Sequence, residues 1–210
     1  MKILGIIGAG HLGLQIAHFA INDGHYKQVV FFDDFATSTE IEGHKILGKL
    51  AKIPDSFKSN KFDELFIGIG YKHMNFRSEV YDIFKGKIPF GKIIHSSCWV
   101  DKTAIIEDGV IIYPNSTIDA RVKVGQNVLV NLGSTISHDS EIGSHSFLSP
   151  QVAIAGFCSI GDKSILGINC TVIDNVKIIG CTQIGGGSVV IKNIESTGTY
   201  VGNPARKLKK

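Results

Sequence analysis

The chain has 210 residues and a formal net charge of +3 at pH 7, from 22 Lys and Arg against 19 Asp and Glu. This length accommodates one large or two small domains. The balanced charge, with its only basic cluster at 206–210, argues against a nucleic-acid partner. No apolar run approaches the ~20 residues of a membrane span. The first residues lead directly into a strand pattern and a glycine turn, so we expect no signal peptide. We therefore expect a soluble, cytoplasmic protein.

The first part of the chain, residues 1–94, has the pattern of a small α/β domain. The apolar run Ile3–Ile7 leads into a glycine turn, 8–13, with the form GxGxxG. A helical pattern and a second apolar run, Gln28–Phe32, follow. This order predicts a Rossmann-like βαβ unit with a parallel sheet, in which backbone N–H groups and a helix N-terminus face a phosphate. A second mononucleotide half is missing, so we favour a nucleotide diphosphate over NAD, which stays an alternative together with a purely structural turn.

The second part, residues 95–210, repeats an aliphatic residue at every sixth position. The series comprises Val100, Ile106, Ile112, Ile118, Val124, Val130, Ile136, Ile142, Leu148, Ile154, Ile160, Leu166, Val172, Ile178, Ile184 and Val190. A period of six fits neither an ordinary helix nor an ordinary strand, and it is typical of a hexapeptide β-solenoid. Three six-residue units make one triangular coil, so residues 18 apart lie above one another, about one strand spacing of ~4.8 Å away.

This stacking singles out one histidine. His138 lies in a corner column between Ala120 and Gly156, which have almost no side chain. The imidazole would therefore stand in an open notch, where it could act as a general base. The adjacent Asp139 could hold the ring or raise its basicity, whereas an idle surface histidine is the alternative.

The cysteines and the other histidines give no sign of a metal site. Cys98, Cys158 and Cys170 fall on the small inward-facing position of the repeat, which predicts free core thiols in a reducing compartment. The repeats between Val100 and Val190 have only His138 and His145, on different corners, so we expect no metal and disfavour a γ-type carbonic anhydrase. His95 is expected to pack or to hydrogen-bond rather than to catalyse.

With these features the chain resembles the NeuD/PglD-type sugar acyltransferases. The resemblance covers nearly the whole chain, and the segments that carry it are 8–13, 31–34, 41–48, 93–96, Asn131, 138–139, 155–156, 167–169, 185–187 and 202–205. It implies a left-handed parallel β-helix after the α/β domain and a homotrimer. It also implies acetyl-CoA as co-substrate and direct transfer to the amine of a nucleotide-linked amino sugar, of the 4-amino-4,6-dideoxy type, in surface glycan biosynthesis.

The same resemblance assigns the site. His138 is the implied base and Asp139 its acidic neighbour, while Gly156, Ile168 and Gly186 line the acetyl-CoA cleft between subunits. The implied substrate residues are Gly8, Gly10, His11, Asp33, Asp34 and Asn131, the last reaching His138 across the subunit interface.

Two departures from the family pattern stand out. Phe147 replaces a histidine that contacts the coenzyme in relatives, and the turn histidine, His11, is displaced by one place. We expect His145 to be structural.

The alternatives to N-acetylation are O-acetylation of a sialic acid or another sugar hydroxyl, and a non-catalytic trimeric scaffold that binds sugar nucleotides. The sequence leaves the nucleotide base and the sugar open.

Overall fold

The computed structural model describes residues 2–209, and the chain divides into two compact units between Ile93 and Ile94. The first unit is an α/β domain. Its elements are β1 (Ile3–Ile7), α1 (His11–Asn22), β2 (Gln28–Phe32), β3 (Glu40–Ile41), β4 (His44–Gly48), a 3-10 turn (Leu50–Lys52), α2 (Ile53–Lys58), β5 (Glu64–Ile67), a second 3-10 turn (Tyr71–His73) and α3 (Met74–Phe84).

The sheet of this unit has the strand order β3-β4-β2-β1-β5 and is parallel except for the β3–β4 pair. The predicted βαβ unit is confirmed, because β1 and β2 pair in parallel on either side of α1 in the sequence. The glycine turn follows β1, Asp33 follows β2, and Gly68 follows β5. The carboxyl ends of all three strands therefore meet at one edge of the sheet. The strand order reverses between β1 and β5, and ligands of such sheets bind at the carboxyl edge of this switch point.

One boundary differs from the sequence pattern. The apolar run at 65–70 suggests a strand over its whole length, but β5 ends at Ile67. A Cβ at Gly68 would come within 2.8 Å of the Gly13 Cα, so the β5 end packs directly on the glycine turn. Gly68 therefore leaves the sheet to make this close approach.

The second unit is the predicted left-handed parallel β-helix. Its strands, nearly all of two residues, are β6 (Ile93–Ile94), β7 (Trp99–Val100), β8 (Ile105–Ile106), β9 (Ile111–Ile112), β10 (Thr117–Ile118), β11 (Lys123–Val124), β12 (Leu129–Val130), β13 (Thr135–Ile136), β14 (Glu141–Ile142), β15 (Phe147–Leu148), β16 (Ala153–Ile154), β17 (Ser159–Ile160), β18 (Ile165–Leu166), β19 (Thr171–Val172), β20 (Lys177–Ile178), β21 (Thr182–Ile184), β22 (Val189–Val190), β23 (Gly198–Val201) and β24 (Arg206–Lys207).

These strands form three sheets. Their orders are β22-β19-β16-β13-β10-β7, β20-β17-β14-β11-β8 and β24-β23-β21-β18-β15-β12-β9-β6. Residue partners in neighbouring coils are 18 apart, as in the pairs Thr117–Thr135 and Thr135–Ala153. The stacking predicted from the period is thus the register of the structure.

The solenoid core consists of the repeated aliphatic residues and the small residues that precede them. Ile118, Ile136 and Ile154 are at most 1% exposed. The inward-facing serines are also buried and bond to carbonyl groups: Ser140 Oγ donates to the Ala155 carbonyl, 2.9 Å away. Apolar contacts therefore join the coils along the axis, while the serines satisfy polar groups at the corners.

Every sixth residue from Gly109 to Gly187 has a positive φ. Glycine and asparagine are expected in that conformation, yet Arg121, Asp139 and Phe157 also adopt it, with φ of 58–59°. The solenoid thus imposes the left-handed conformation at this corner position whatever the residue. At the His138 corner the residue in this conformation is Asp139.

Candidate functional site

The His138 corner is a compact polar cluster on the solenoid surface. It lies between β13 and β14, and the corner segments 101–103, 119–121, 155–157 and 173–175 stack with it through the 18-residue register. The His138 side chain is 45% exposed, and its backbone N–H donates to Asp119 Oδ2 at 3.2 Å. The ring is thus reachable from solvent on a corner that the neighbouring coil anchors.

Asp139 orients the imidazole. Its Oδ2 lies 2.9 Å from His138 Nδ1, so an Nδ1–H proton is donated to the carboxylate and the Nε2 lone pair stays available. The arrangement suits a general base whose tautomer is set by an acidic neighbour. The predicted pairing of the two residues is therefore present in the geometry.

Arg121, which the sequence analysis did not select, completes this cluster. Its Nε lies 2.6 Å from Asp139 Oδ1, and its Nη2 lies 2.7 Å from Oδ2. The Arg121 hydrogen bonds, and then that of His138, hold the pKa of the Asp139 carboxyl well below its ordinary range. Asp139 is therefore ionised at any pH at which the protein would work.

Gly156 and Phe157 border the other side of the ring. A Cβ built on Gly156 would lie 2.8 Å from His138 Cε1 and 3.0 Å from Nε2, so the imidazole fills the space that glycine leaves. The Phe157 ring approaches it edge-on, with centroids 5.1 Å apart. The notch predicted around His138 is thus occupied on the Gly156 side by the imidazole itself.

The other residues predicted for acetyl-CoA lie on a different corner of the solenoid. Ile168 is 56% exposed, and a Cβ on Gly186 would lie 3.0 Å from its Cγ2, so Gly186 makes room for the isoleucine. Asn131 is on the same corner, with Oδ1 accepting the Leu132 N–H at 2.8 Å. Within one chain these residues are not brought to the His138 corner.

The remaining solenoid histidines have local partners. His145 Nδ1 is 3.0 Å from Asn127 Nδ2 on the preceding coil, and His95 Nδ1 is 2.8 Å from Ser97 Oγ. Phe147, the position at which the family resemblance leads us to expect a histidine, is 6% exposed. Between residues 2 and 209 no group of three or more His, Cys, Asp or Glu is placed to hold a metal ion.

The first unit contains a cavity of about 540 Å³ at the carboxyl edge of its sheet. It is lined by Ile7, Gly8, Gly10, Asp33, Asp34, Phe35, Leu50, Gly68, Ile69, Gly70, His73 and Phe76. Four of the residues predicted to bind the nucleotide are therefore together. His11 begins α1 and is exposed, but the cavity lining does not include it.

The glycine turn has an open side toward this cavity. Gly10 precedes α1, and a Cβ there would meet nothing within 4 Å, whereas one on Gly13 would lie 2.0 Å from the Gly8 carbonyl oxygen. Gly13 therefore allows the helix to pack on the turn, and Gly10 keeps the helix N-terminus accessible. Such an N-terminus favours an anionic group.

The two carboxylates at this edge also have structural partners. Asp33 Oδ2 accepts the Ala9 N–H and Oδ1 accepts the Phe35 N–H, both at 2.8 Å. Asp34 Oδ1 accepts the Leu50 N–H at 2.9 Å. These bonds tie the β2 end to the glycine turn and to the 3-10 turn that follows β4. A nucleotide hydroxyl would meet carboxylates that are already oriented.

A buried arginine holds one segment of the cavity lining in place. Arg77 of α3 is 0% exposed, and its Nη1 donates to the carbonyls of Ile67 and Ile69, each at 2.9 Å. The segment 68–70 is thereby held against the cavity. Phe35 and Phe76 lie at the same cavity and are 89% and 44% exposed, so the cavity presents aromatic surface to solvent.

Comparison with known proteins adds to this geometry. Residues 3–84 match the family model described as the PglD N-terminal domain. A search of the curated proteins finds no match. No helix among residues 2–209 combines the length and apolar character needed to cross a bilayer.

Solved structures share the fold over almost the entire chain. The acetyltransferase domain of PglB from Neisseria gonorrhoeae FA1090 is 25% identical, covers 99% of this chain and 100% of its own, and has a TM-score of 0.91. The same domain in complex with acetyl coenzyme A is 24% identical over 98% of each chain, with a TM-score of 0.89. PerB from Caulobacter crescentus, in complex with CoA and GDP-perosamine, is 24% identical over 97% of this chain and 95% of its own, with a TM-score of 0.88.

The resemblance inferred from the sequence is therefore confirmed on both units. Residues 3–84 match the PglD N-terminal domain, and over almost its entire length the chain has the fold of the PglB acetyltransferase domain.

Proposed function

We propose that the protein is an acetyl-CoA-dependent N-acetyltransferase that acetylates the amine of a nucleotide-linked amino sugar of the 4-amino-4,6-dideoxy type. The observation that carries this proposal is the His138–Asp139 pair. The pair presents an accessible imidazole Nε2 whose tautomer is set by an ionised carboxylate. The likeness to the PglB acetyltransferase domain and to PerB, which is solved with CoA and GDP-perosamine, supports the choice of substrates.

His138 Nε2 removes a proton from the sugar amine as the amine nitrogen attacks the thioester carbonyl. The new C–N bond forms, the C–S bond breaks, and the CoA thiolate leaves and receives a proton. Asp139 stabilises the imidazolium that forms transiently. The Gly156 N–H is our candidate donor to the oxyanion of the tetrahedral intermediate.

The first unit supplies the acceptor site in this proposal. The nucleotide diphosphate binds at the open N-terminus of α1 near Gly8 and Gly10, and Asp33 and Asp34 accept hydrogen bonds from its sugar hydroxyls. Phe35 offers an exposed ring on which a nucleobase can stack. The match of this unit to the PglD N-terminal domain supports that division of labour.

We further propose a homotrimer in which the His138 corner of one copy faces the Ile168 corner of the next. Gly156 would contribute to the acetyl-CoA cleft from the first copy, and Ile168 and Gly186 from the second. The exposed Ile168 side chain and its separation from His138 within one chain support this arrangement. We expect this trimer in the cytoplasm.

The test is to incubate the protein with acetyl-CoA and a panel of UDP-, dTDP- and GDP-linked 4-amino-4,6-dideoxy sugars. Product formation is followed by mass spectrometry. We expect one nucleotide series to be acetylated, with a product that resists mild alkali, as an amide does and an ester does not. Acetylation of a sialic acid or another hydroxyl acceptor instead would establish O-transfer. Binding of nucleotide sugar without any acetyl transfer would support the scaffold alternative.

A further inference from the structure

Arg121 binds Asp139 in a way that an ordinary surface ion pair does not. The guanidinium contacts both carboxylate oxygens, Nε to Oδ1 at 2.6 Å and Nη2 to Oδ2 at 2.7 Å. Oδ2 is the same oxygen that accepts the His138 Nδ1 proton, at 2.9 Å. The fork geometry of arginine thus fixes the plane of the carboxylate that in turn fixes the imidazole.

The remaining charged groups around the imidazole have other partners or lie farther along the column. Asp119 accepts the backbone N–H groups of Ala120 and His138, and Asp101 accepts bonds from Thr103. Lys102 lies two coils before the imidazole and Asp174 two coils after it, on the same corner column. On the adjoining face, Glu141 pairs with Lys123 at 2.7 Å. Asp139 is therefore the carboxylate that hydrogen-bonds the ring, and Arg121 is the cation paired with it.

We propose that Arg121 is a positioning residue for the base: it fixes the Asp139 oxygen that orients His138 and offsets the negative charge beside the imidazole. This inference rests on the proposed function, because a positioning role for Arg121 requires that His138 is the base. Arg121 acts through His138 and does not contact a substrate in this proposal. An isolated carboxylate beside an imidazole favours the protonated ring, which cannot accept a proton. Arg121 orients the carboxylate that holds the ring, and its positive charge limits this stabilisation of the protonated imidazole.

The structure offers a matched set of variants. Arg121→Gln removes the charge and the fork from a side chain that is 60% exposed, so the solenoid keeps its core. Arg121→Lys keeps the charge but replaces the fork by a point contact. Lys123→Gln is the control: it breaks a pair with the same 18-residue separation and a similar exposure, 59%, two residues along the chain.

The first readout is the pH profile of kcat/KM. In Arg121→Gln the midpoint of the acidic limb of this profile should rise by about half a pH unit, the size of effect expected from one charge in an exposed ion pair. The plateau kcat should fall about threefold to tenfold, the scale of one hydrogen bond, with the KM for acetyl-CoA unchanged. Arg121→Lys should restore the midpoint but not the plateau, and Lys123→Gln should change neither.

The second readout does not depend on activity. The ring C–H proton of His138, assigned by its loss in His138→Gln, is titrated by NMR without substrates in the wild type and in Arg121→Gln. A higher midpoint in Arg121→Gln supports the inference. Coincident midpoints and coincident pH profiles in the two proteins would overturn it, even with an active enzyme. A shifted NMR midpoint in a protein that acetylates no amino sugar would sink the proposed function while leaving the Arg121–Asp139–His138 coupling in place.

Discussion

Replacing Gly156 by alanine tests how closely the base depends on its neighbouring coil. The added methyl carbon would lie 2.8 Å from His138 Cε1, 3.0 Å from Nε2 and 3.3 Å from Nδ1. Gly156 has no positive φ, so alanine brings no backbone strain at this position. The perturbation is therefore directed at the imidazole and not at the fold.

The magnitude follows from the contact distances. An ordinary contact needs at least 3.4 Å, so the ring must retreat by about 0.6 Å while Phe157 borders it edge-on. That movement works against the 2.9 Å bond to Asp139. Because a displacement near 1 Å can reduce a rate by about a hundredfold, we expect kcat to fall by roughly thirtyfold to a hundredfold.

The assay is CoA thiol release at saturating substrates, with thermal unfolding as the check on the fold. The melting temperature should stay within a few degrees of the wild-type value, because the methyl group meets only a partly exposed side chain. Activity within a factor of two of the wild type, in a folded variant, would refute the assignment of the catalytic position to this ring orientation.

Two further predictions concern other parts of the molecule. Phe35→Ala should raise the KM for the nucleotide sugar about fivefold to a hundredfold, the scale of one base–aromatic stack, with the KM for acetyl-CoA unchanged. Ile83→Ala, an exposed apolar control outside the cavity lining, should leave both KM values unchanged. An unchanged KM for the nucleotide sugar in Phe35→Ala would remove that ring from the site. Burial raises the pKa of Cys158, and raises that of Cys170 to about 12. At pH 8 iodoacetamide should therefore label the exposed Cys181 and spare both buried thiols in the native protein, as mass mapping will show; rapid labelling of Cys170 would contradict the packing of this core.

The sequence predicts the solenoid in detail because one physical requirement repeats along it. Each six-residue unit must place an aliphatic side chain inward, so the positions of Ile118, Ile136 and Ile154 define both the core and the 18-residue stacking. That stacking brings His138 next to Gly156. Arg121 lies 18 residues before Asp139, so the same register also contains the signal for their ion pair, which the sequence analysis did not use.

Other features depend on side-chain directions that no periodicity contains. The role of Asp33 in binding the Ala9 and Phe35 N–H groups follows from how the β2 end approaches the glycine turn. The positive φ of Arg121 and Phe157 is imposed by the coil and not by their intrinsic preference. Likewise, the buried Arg77 donates hydrogen bonds to the Ile67 and Ile69 carbonyls at the end of β5, a contact between residues that the periodic pattern does not relate. These contacts complete the candidate sites and become visible only in three dimensions.

In the proposed reaction, His138 acts as the base in acetyl transfer to a nucleotide-linked amino sugar. The most direct measurement is CoA thiol release from acetyl-CoA by the wild type and by His138→Ala, with the amino-sugar nucleotide that the wild type acetylates. We predict at least about a hundredfold lower kcat in the variant, the scale of general base catalysis, with acetyl-CoA binding retained. Release at the wild-type rate from a folded His138→Ala protein would contradict it.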